Sequence, residues 1–378
     1  MKLKLAFFTS SRADYGKIKE VIKNCKNFDY KIIITGSHLL REYGHTVDHI
    51  KKDFPDKRLI KFRNQVFNDN AKYIYEKTTV GLNKILNKNK FDLAIIHGDR
   101  VETLAAASIF MINRIKIAHI EGGELSGTID EMIRHAISKM SNIHFVTNNI
   151  AKKVLINSGE QKKNIYVTGS PDIDILKTKL RPDIDTVKKR YKIPFKEFSI
   201  SFLHPITTEG QKSNDKNSKI YFKSLKSSNK QNFIQFVPNN DDFSKIIFKN
   251  LKNILSNCKN IKILPSMRFE YYLTLLEHSK FIIGNSSSAI MEAPYFGVPA
   301  INVGKRQINR YGIQFTKNIN FSKKQILKSI QQINKFKFKK KKIFGNGDSA
   351  KKIIRILNSK KIKNIDLQKN YKNLILKI

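Results

Sequence analysis

The sequence predicts an α/β protein of two Rossmann-like, doubly wound domains with a cleft between them. Three observations carry this. The first half alternates short apolar runs with amphipathic segments, which is the pattern of strands and crossover helices in a parallel sheet. A second series of the same kind follows a charged, proline-containing stretch near 175–195. The length, 378 residues, exceeds what one hydrophobic core usually serves. The expected divisions are 1–175, 195–345 and a C-terminal helical piece, 346–378.

In chain order, KLAFFTS (4–10) reads as the first strand and RADYGKIKEVIKNC as a loop and helix. YKIIITGS (30–37) is a second strand, and residues 68–89 carry a long helix. FDLAIIHGD (91–99) and IKIAHIEGGE (115–124) are continuous apolar runs, as strands covered on both faces are. The Ala-rich VETLAAASIFMIN between them has the length of a crossover helix. A helix through 132–141, a strand at 144–148, a helix ended by Gly159 and the run 164–174 close the first unit. In the second series FSISFLHP, NFIQFVPNND, NIKILPS, KFIIGNSSS and PAINVG alternate with helical stretches near 217–229 and 243–257. IFGNGDSAKKIIRIL opens with a Gly-rich turn and an N-cap region before a final helix.

Composition narrows the function. The formal net charge is +41, from 72 Lys+Arg against 31 Asp+Glu. Such an excess can mark a polyanion partner or an anionic substrate. Lysines scatter over nearly every surface without the interleaved aromatics of a base-stacking platform, so general Lys, Asn and Ile enrichment explains the charge better than nucleic-acid binding. Cys25 and Cys258 are far apart and form no CxxC pair, as in a reduced cytoplasmic protein. The N-terminal apolar run turns polar too soon for a signal peptide, and no run approaches the ~20 apolar residues of a membrane span. The expectation is a cytoplasmic protein without nucleic-acid or membrane partners.

Against this basic background, residues 97–139 concentrate Asp99, Arg100, Glu102, Glu121, Glu124, Asp130, Glu131, Arg134 and His135. Both strands of that segment end in carboxylates, at the edge where open α/β sheets bind ligands. KFIIGNSSSAIMEAPYFG (280–297) runs a buried strand into Asn285, Ser286, Ser287 and Ser288 and then a helix carrying Glu292. Backbone N–H groups and hydroxyls at such a helix start suit phosphate, and Glu292 suits a ribose. Arg12, Arg100 and Arg306 follow strands and supply guanidinium groups for one anionic ligand. His204 ends another strand and is a candidate general acid or base. The GxGxxG, Walker, HExxH and GxSxG spacings are all missing, so no redox cofactor and no metal are expected.

These pieces, in this order, resemble the hydrolysing UDP-N-acetylglucosamine 2-epimerases of sialic acid synthesis. The matching stretches are RADYGK, HGDRVE, HIEGGELSGTIDEMIRHAISK, GSPD (169–172), HPITTE, PNND (238–241), GNSSS, INVGKRQ (301–307) and FGNGDSAKKI. They run from residue 9 to residue 355, almost the whole chain. The resemblance implies a GT-B-like fold, with catalytic acids in the first domain and UDP held by the second. It also implies a last helix packing back toward the first domain, and a homo-oligomer, dimer or tetramer. By motif, Asp99, Glu121, Asp130 and His204 resemble the catalytic set. Arg12, Arg100, Asn239, Ser286, Ser287, Glu292 and Arg306 resemble the UDP-binding set. The family often has a serine where Gly16 stands. It uses no cofactor. The implied reaction releases UDP and N-acetylmannosamine through 2-acetamidoglucal. The nearest rival is the same reaction on UDP-N,N′-diacetylbacillosamine, and a GT-B glycosyltransferase is a further one.

Overall fold

The computed structural model describes residues 3–369, apart from residues 68, 178–180, 239–240, 266 and 336–337. The chain divides into two compact units. Residues 1–124, 130–174 and 344–378 make the first, and residues 125–129 and 175–343 the second.

The first unit runs β1 (Lys4–Thr9), α1 (Arg12–Lys23), β2 (Asp29–Ile34), α2 (Val47–Asp53), β3 (Leu59–Lys61), α3 (Ala71–Leu86), β4 (Leu93–His97) and α4 (Val101–Ile112). It continues with β5 (Lys116–Ile120), α5 (Ile129–Met140), β6 (Ile143–Val146), α6 (Asn149–Asn157), β7 (Ile165–Val167) and α7 (Pro171–Leu176). Its seven strands lie in the order β3-β2-β1-β4-β5-β6-β7, each pair parallel. β4 is buried along its whole length and β5 along all but its first residue, as strands with helices on both faces must be. One helical layer packs Ile18, Val21 and Ile22 against the sheet. The other packs Leu82, Leu86, Ala106, Ala107 and Phe110. The small alanines of α4 let it lie close to α3 and the strands.

The second unit comprises α8 (Ile184–Tyr191), β8 (Ser199–Phe202), α9 (Gln211–Ser227), β9 (Phe233–Phe236), α10 (Ser244–Leu255), β10 (Ile261–Leu264) and α11 (Phe269–Glu277). β11 (Ile282–Gly284), α12 (Ser288–Met291), α13 (Ala293–Phe296), β12 (Ala300–Val303), β13 (Lys317–Ile319) and α14 (Lys323–Gln332) complete it. Its strand order, β10-β9-β8-β11-β12-β13, reverses between β8 and β11, as that of the first unit does between β1 and β4. The chain ends, among the described residues, with α15 (Ser349–Leu357) and α16 (Lys360–Lys363). Ala350, Ile353 and Leu357 of α15 join the first unit's core beside α1.

The charged, proline-containing stretch near 175–195 contains α8. Asp183 caps it by accepting from the Thr186 N–H at 2.8 Å, and Val187 is its one buried residue, so there was no apolar stripe to read. The helix expected to carry Glu292 is broken at that residue. α12 and α13 are single turns meeting at Glu292, because Pro294 cannot continue an existing ladder.

Candidate active site

Open doubly wound sheets bind ligands beyond the carboxyl ends of strands, where the strand order reverses. In the first unit that point lies between β1 and β4, where Arg12 opens α1 and Arg100 precedes α4. Asp14 and His38 form a buried pair there. Asp14 accepts from the Ser10 and Ser11 backbone N–H groups at 2.9 and 2.8 Å and from the Thr9 hydroxyl at 2.8 Å. With Ser11 it forms the capping box of α1. Burial works against the Asp14 charge, but His38, the Ser10 N–H and Arg100 outweigh it and lower its pKa. His38 is pushed down to about 4, first by burial, with Arg100 and Arg12 adding to the effect. Both guanidinium groups therefore act on one spot. Arg100 also lies 3.3 Å from the buried carboxylate of Glu102.

The acids gather on two cations. Arg134 of α5, almost fully buried, donates to Asp99 and to the Glu124 carbonyl. Burial disfavours its charge, and Asp99, Glu124 and Asp130 more than compensate. Asp99 and Asp130 thus share the field of one arginine. Glu121 turns off the end of β5 with φ +65°, a conformation few non-glycine residues adopt. Its carboxylate accepts from Lys17 Nζ at 2.7 Å and from the Ser170 hydroxyl, and lies 3.0 Å from His97 Nε2. Lys17 and His97 overcome burial to hold Glu121 well below the ordinary carboxylate range. Gly123, at φ +78°, lets this turn pass against the Ala151 carbonyl of α6, where a Cβ would collide. Behind the site His119 bonds the Gly98 carbonyl at 2.8 Å and, buried, is pushed down to about 3.

In the second unit the reversal lies between β8 and β11. His204 leaves β8 and donates its backbone N–H to Asn285 Oδ1 at 2.7 Å, while Asn285 Nδ2 donates to the His204 carbonyl at 2.8 Å. Gln307 and Arg306 both donate to the Asn285 carbonyl. His204 stacks on Phe202. Burial, followed by Arg306, lowers its pKa well below the ordinary value, so the ring is neutral near pH 7. Arg306 also lies 3.7 Å from Asp241. Ser286 is buried and its Oγ accepts from the Ser288 N–H at 3.3 Å. Ser287 begins α12 without a side-chain cap. Glu292 is buried close to Tyr272, whose phenol bonds Ser288. Residues 125–129 cluster here too. Gly127 donates to the Arg306 carbonyl at 2.9 Å and accepts from the Thr208 hydroxyl at 3.1 Å.

Within the first unit Asp99, Arg100 and Glu121 occupy loops at one sheet edge, and Arg12 and Asp130 lie in the first turns of α1 and α5. Within the second, His204 and Arg306 are joined through Asn285, with Ser286, Ser287 and Glu292 on the adjoining segment. Asn239 lies outside the described residues. Reading by motif passed over Asp14, Lys17, His97, Asp172 and Gln307, although each lies in or beside a quoted motif. Among the described residues no group of His, Cys, Asp and Glu has the geometry to hold a metal, and no helix is long and apolar enough to cross a membrane.

The sequence profile of the family described as UDP-N-acetylglucosamine 2-epimerase matches residues 20–358. A Neisseria meningitidis protein named UDP-N-acetylglucosamine 2-epimerase is 36% identical over 97% of this chain and 98% of its own. A Legionella pneumophila UDP-N,N′-diacetylbacillosamine 2-epimerase (hydrolyzing) is 31% identical over 94% and 96%. The crystal structure of Methanocaldococcus jannaschii UDP-GlcNAc 2-epimerase in complex with UDP-GlcNAc and UDP shares the fold. Its TM-score is 0.77 at 22% identity, covering 94% of this chain and 99% of that one.

Proposed function

This chain belongs to the UDP-N-acetylglucosamine 2-epimerase family, and from that premise we propose that it is a hydrolysing 2-epimerase. It would convert UDP-N-acetylglucosamine and water to UDP and N-acetylmannosamine in the cytoplasm, for sialic acid synthesis. The observation that carries this reading is the gathering of Asp99, Glu121 and Asp130 at one sheet edge around Arg134 and Lys17.

The chemistry needs several acids. No carbonyl adjoins C2 of the sugar, so its proton is barely acidic until the C1–O bond breaks and positive character grows at C1. In the α-linked gluco sugar C1–O and C2–H are trans-diaxial. The C2 proton passes to a base, the C–H pair becomes the C1=C2 bond, and the C1–O pair leaves with UDP. Water then adds at C1, and a proton reaches C2 from the face opposite the one it left. Two faces require two proton-transfer groups, each worth ~10²–10⁴ in rate. In this reading Asp99, Glu121 and Asp130 share the proton transfers and water activation, with neutral His204 assisting. Arg12, Arg100, Asn239, Ser286, Ser287, Glu292 and Arg306 hold the UDP, and its departing charge is stabilised by the arginines and serine hydroxyls.

The second reading, the same reaction on UDP-N,N′-diacetylbacillosamine, is favoured by the Legionella relative. A Campylobacter jejuni GDP/UDP-N,N′-diacetylbacillosamine 2-epimerase (hydrolyzing), 32% identical over 83% of both chains, favours it too. Incubating the protein with both UDP-sugars and identifying the products by NMR decides. Release of UDP and N-acetylmannosamine supports the first reading, and turnover of the diacetylated sugar alone supports the second. If neither sugar yields UDP, both fail.

A further inference from the structure

Lys17 holds two carboxyl groups at once. Its Nζ is 2.7 Å from Glu121 Oε2 and 2.7 Å from Asp172 Oδ2, and the two acids are 6% and 3% exposed. The three residues come from α1, the end of β5 and the first turn of α7. His97 of β4 also faces them, 3.0 Å from Glu121, and the Ser170 hydroxyl donates to Glu121.

Two buried carboxylates that share a cation resist being ionised together. A largely buried ammonium that loses one of its anions is also costly. Each constraint bears on an acid that must change charge during turnover. We propose that Asp172 is a positioning residue for Glu121: it keeps an anion on Lys17 whenever Glu121 takes up a proton, so Glu121 can change charge in place. The inference rests on Glu121 being a proton-transfer group, as read above.

The electrostatics agree with the geometry. Burial and the neighbouring Glu121 raise Asp172 above the ordinary aspartate range although Lys17 opposes them. Glu121, in contrast, is held low by Lys17 and His97. A carboxylate held that low is a weak base. Sharing Lys17 with Asp172 loosens the hold. The same turn fixes the geometry on its other side. Ser170 donates its N–H to the Phe344 carbonyl at 2.6 Å, and Asp174 accepts from the Ser349 and Ala350 N–H groups at 2.8 and 2.6 Å. Asp172 is therefore presented to Lys17 from the clamped first turn of α7.

The test is Asp172→Asn, which keeps the shape and removes the charge. Lys17 then turns to Glu121, whose pKa falls further. The expected result is kcat for UDP release reduced by about tenfold or more, with KM changed little. The acid limb of the kcat–pH profile should move to lower pH, about one unit for each tenfold gain in Lys17–Glu121 stabilisation. Asp172→Glu should restore part of kcat. Unchanged kcat and an unmoved limb overturn the proposal, as does a loss of kcat with an unmoved limb and a lowered unfolding midpoint, which a merely structural role would give. A second measurement needs no turnover. In ¹³C-carboxyl NMR, the aspartate that titrates high in the wild type should move down in Glu121→Gln, and its staying put refutes the coupling. Absence of UDP release by the wild type defeats the functional reading, whereas the NMR titration still decides whether the two acids share Lys17.

Discussion

Replacing Asp14 by asparagine tests how the first strand hands its loop to α1. The carboxylate is buried and two-sided. One oxygen accepts from the Ser10 N–H and hydroxyl, the other from the Ser11 N–H and hydroxyl and from Thr9. In Asp14→Asn one of those oxygens becomes an NH₂ group. Hydroxyls can rotate to accept from it, but a backbone N–H cannot. One of the two buried N–H groups, Ser10 or Ser11, loses its acceptor in either amide orientation. An unsatisfied buried donor costs about 1–3 kcal/mol, and the weakened N-cap adds about 1 kcal/mol. A loss of about 2–4 kcal/mol lowers Tm by about 4–16 °C at ~2–4 °C per kcal/mol for a unit of 150–250 residues. The assay is thermal unfolding by circular dichroism, paired with amide hydrogen exchange at Ser10 and Ser11. A midpoint within about 1 °C of the wild type, with exchange unchanged at both amides, would refute the reasoning.

Asp174→Ala removes both acceptors at the start of α15 and should destabilise the first unit by ~2–4 kcal/mol. Trypsin cleavage at Lys351 and Lys352 should quicken, and an unchanged cleavage rate counts against the clamp. His38 and His119 are buried in the neutral form, with pKa values pushed down to about 4 and about 3. The unfolded chain binds their protons first. Their contribution is therefore complete above the ordinary histidine value and is lost as pH falls from ~6.5 toward 4, by about 1.4 kcal/mol per pH unit for each. Denaturant unfolding between pH 7 and 4.5 should show this slope, reduced in His119→Gln. Arg306→Ala should raise KM for the UDP-sugar at least about tenfold, as expected for a lost charge-assisted contact. It should also let the His204 pKa rise, and a histidine NMR titration that does not move contradicts the Arg306–His204 coupling.

What the sequence made legible follows from how far each signal reaches. β4, β5 and α4 repeat one property over five to twelve residues, so buried strands and a small-residue helix stand out. α12 and α13, four residues each, and β13, three residues, are too short for any period to register. α8 escapes because only Val187 faces inward. The site divides the same way. Asp99, Glu121 and His204 are visible as polar residues ending apolar strands. Lys17 is 104 positions from Glu121, and Asn285 is 81 from His204. No local pattern marks either pairing; each appears only once the parallel sheets bring the strand ends together. Asp174 lies two positions beyond GSPD and carries no motif of its own, and its partner is the start of α15, reached only when that helix returns to the first unit.

The fate of the hydrogen at C2 tests the proposed reaction most directly. Turnover of UDP-N-acetylglucosamine in D₂O, with the sugar product isolated and analysed by NMR, should give free N-acetylmannosamine carrying deuterium at C2, together with free UDP. That outcome requires the C2 proton to leave and a solvent-derived one to return on the other face. A product that keeps its original hydrogen at C2, or one still joined to UDP, would contradict it.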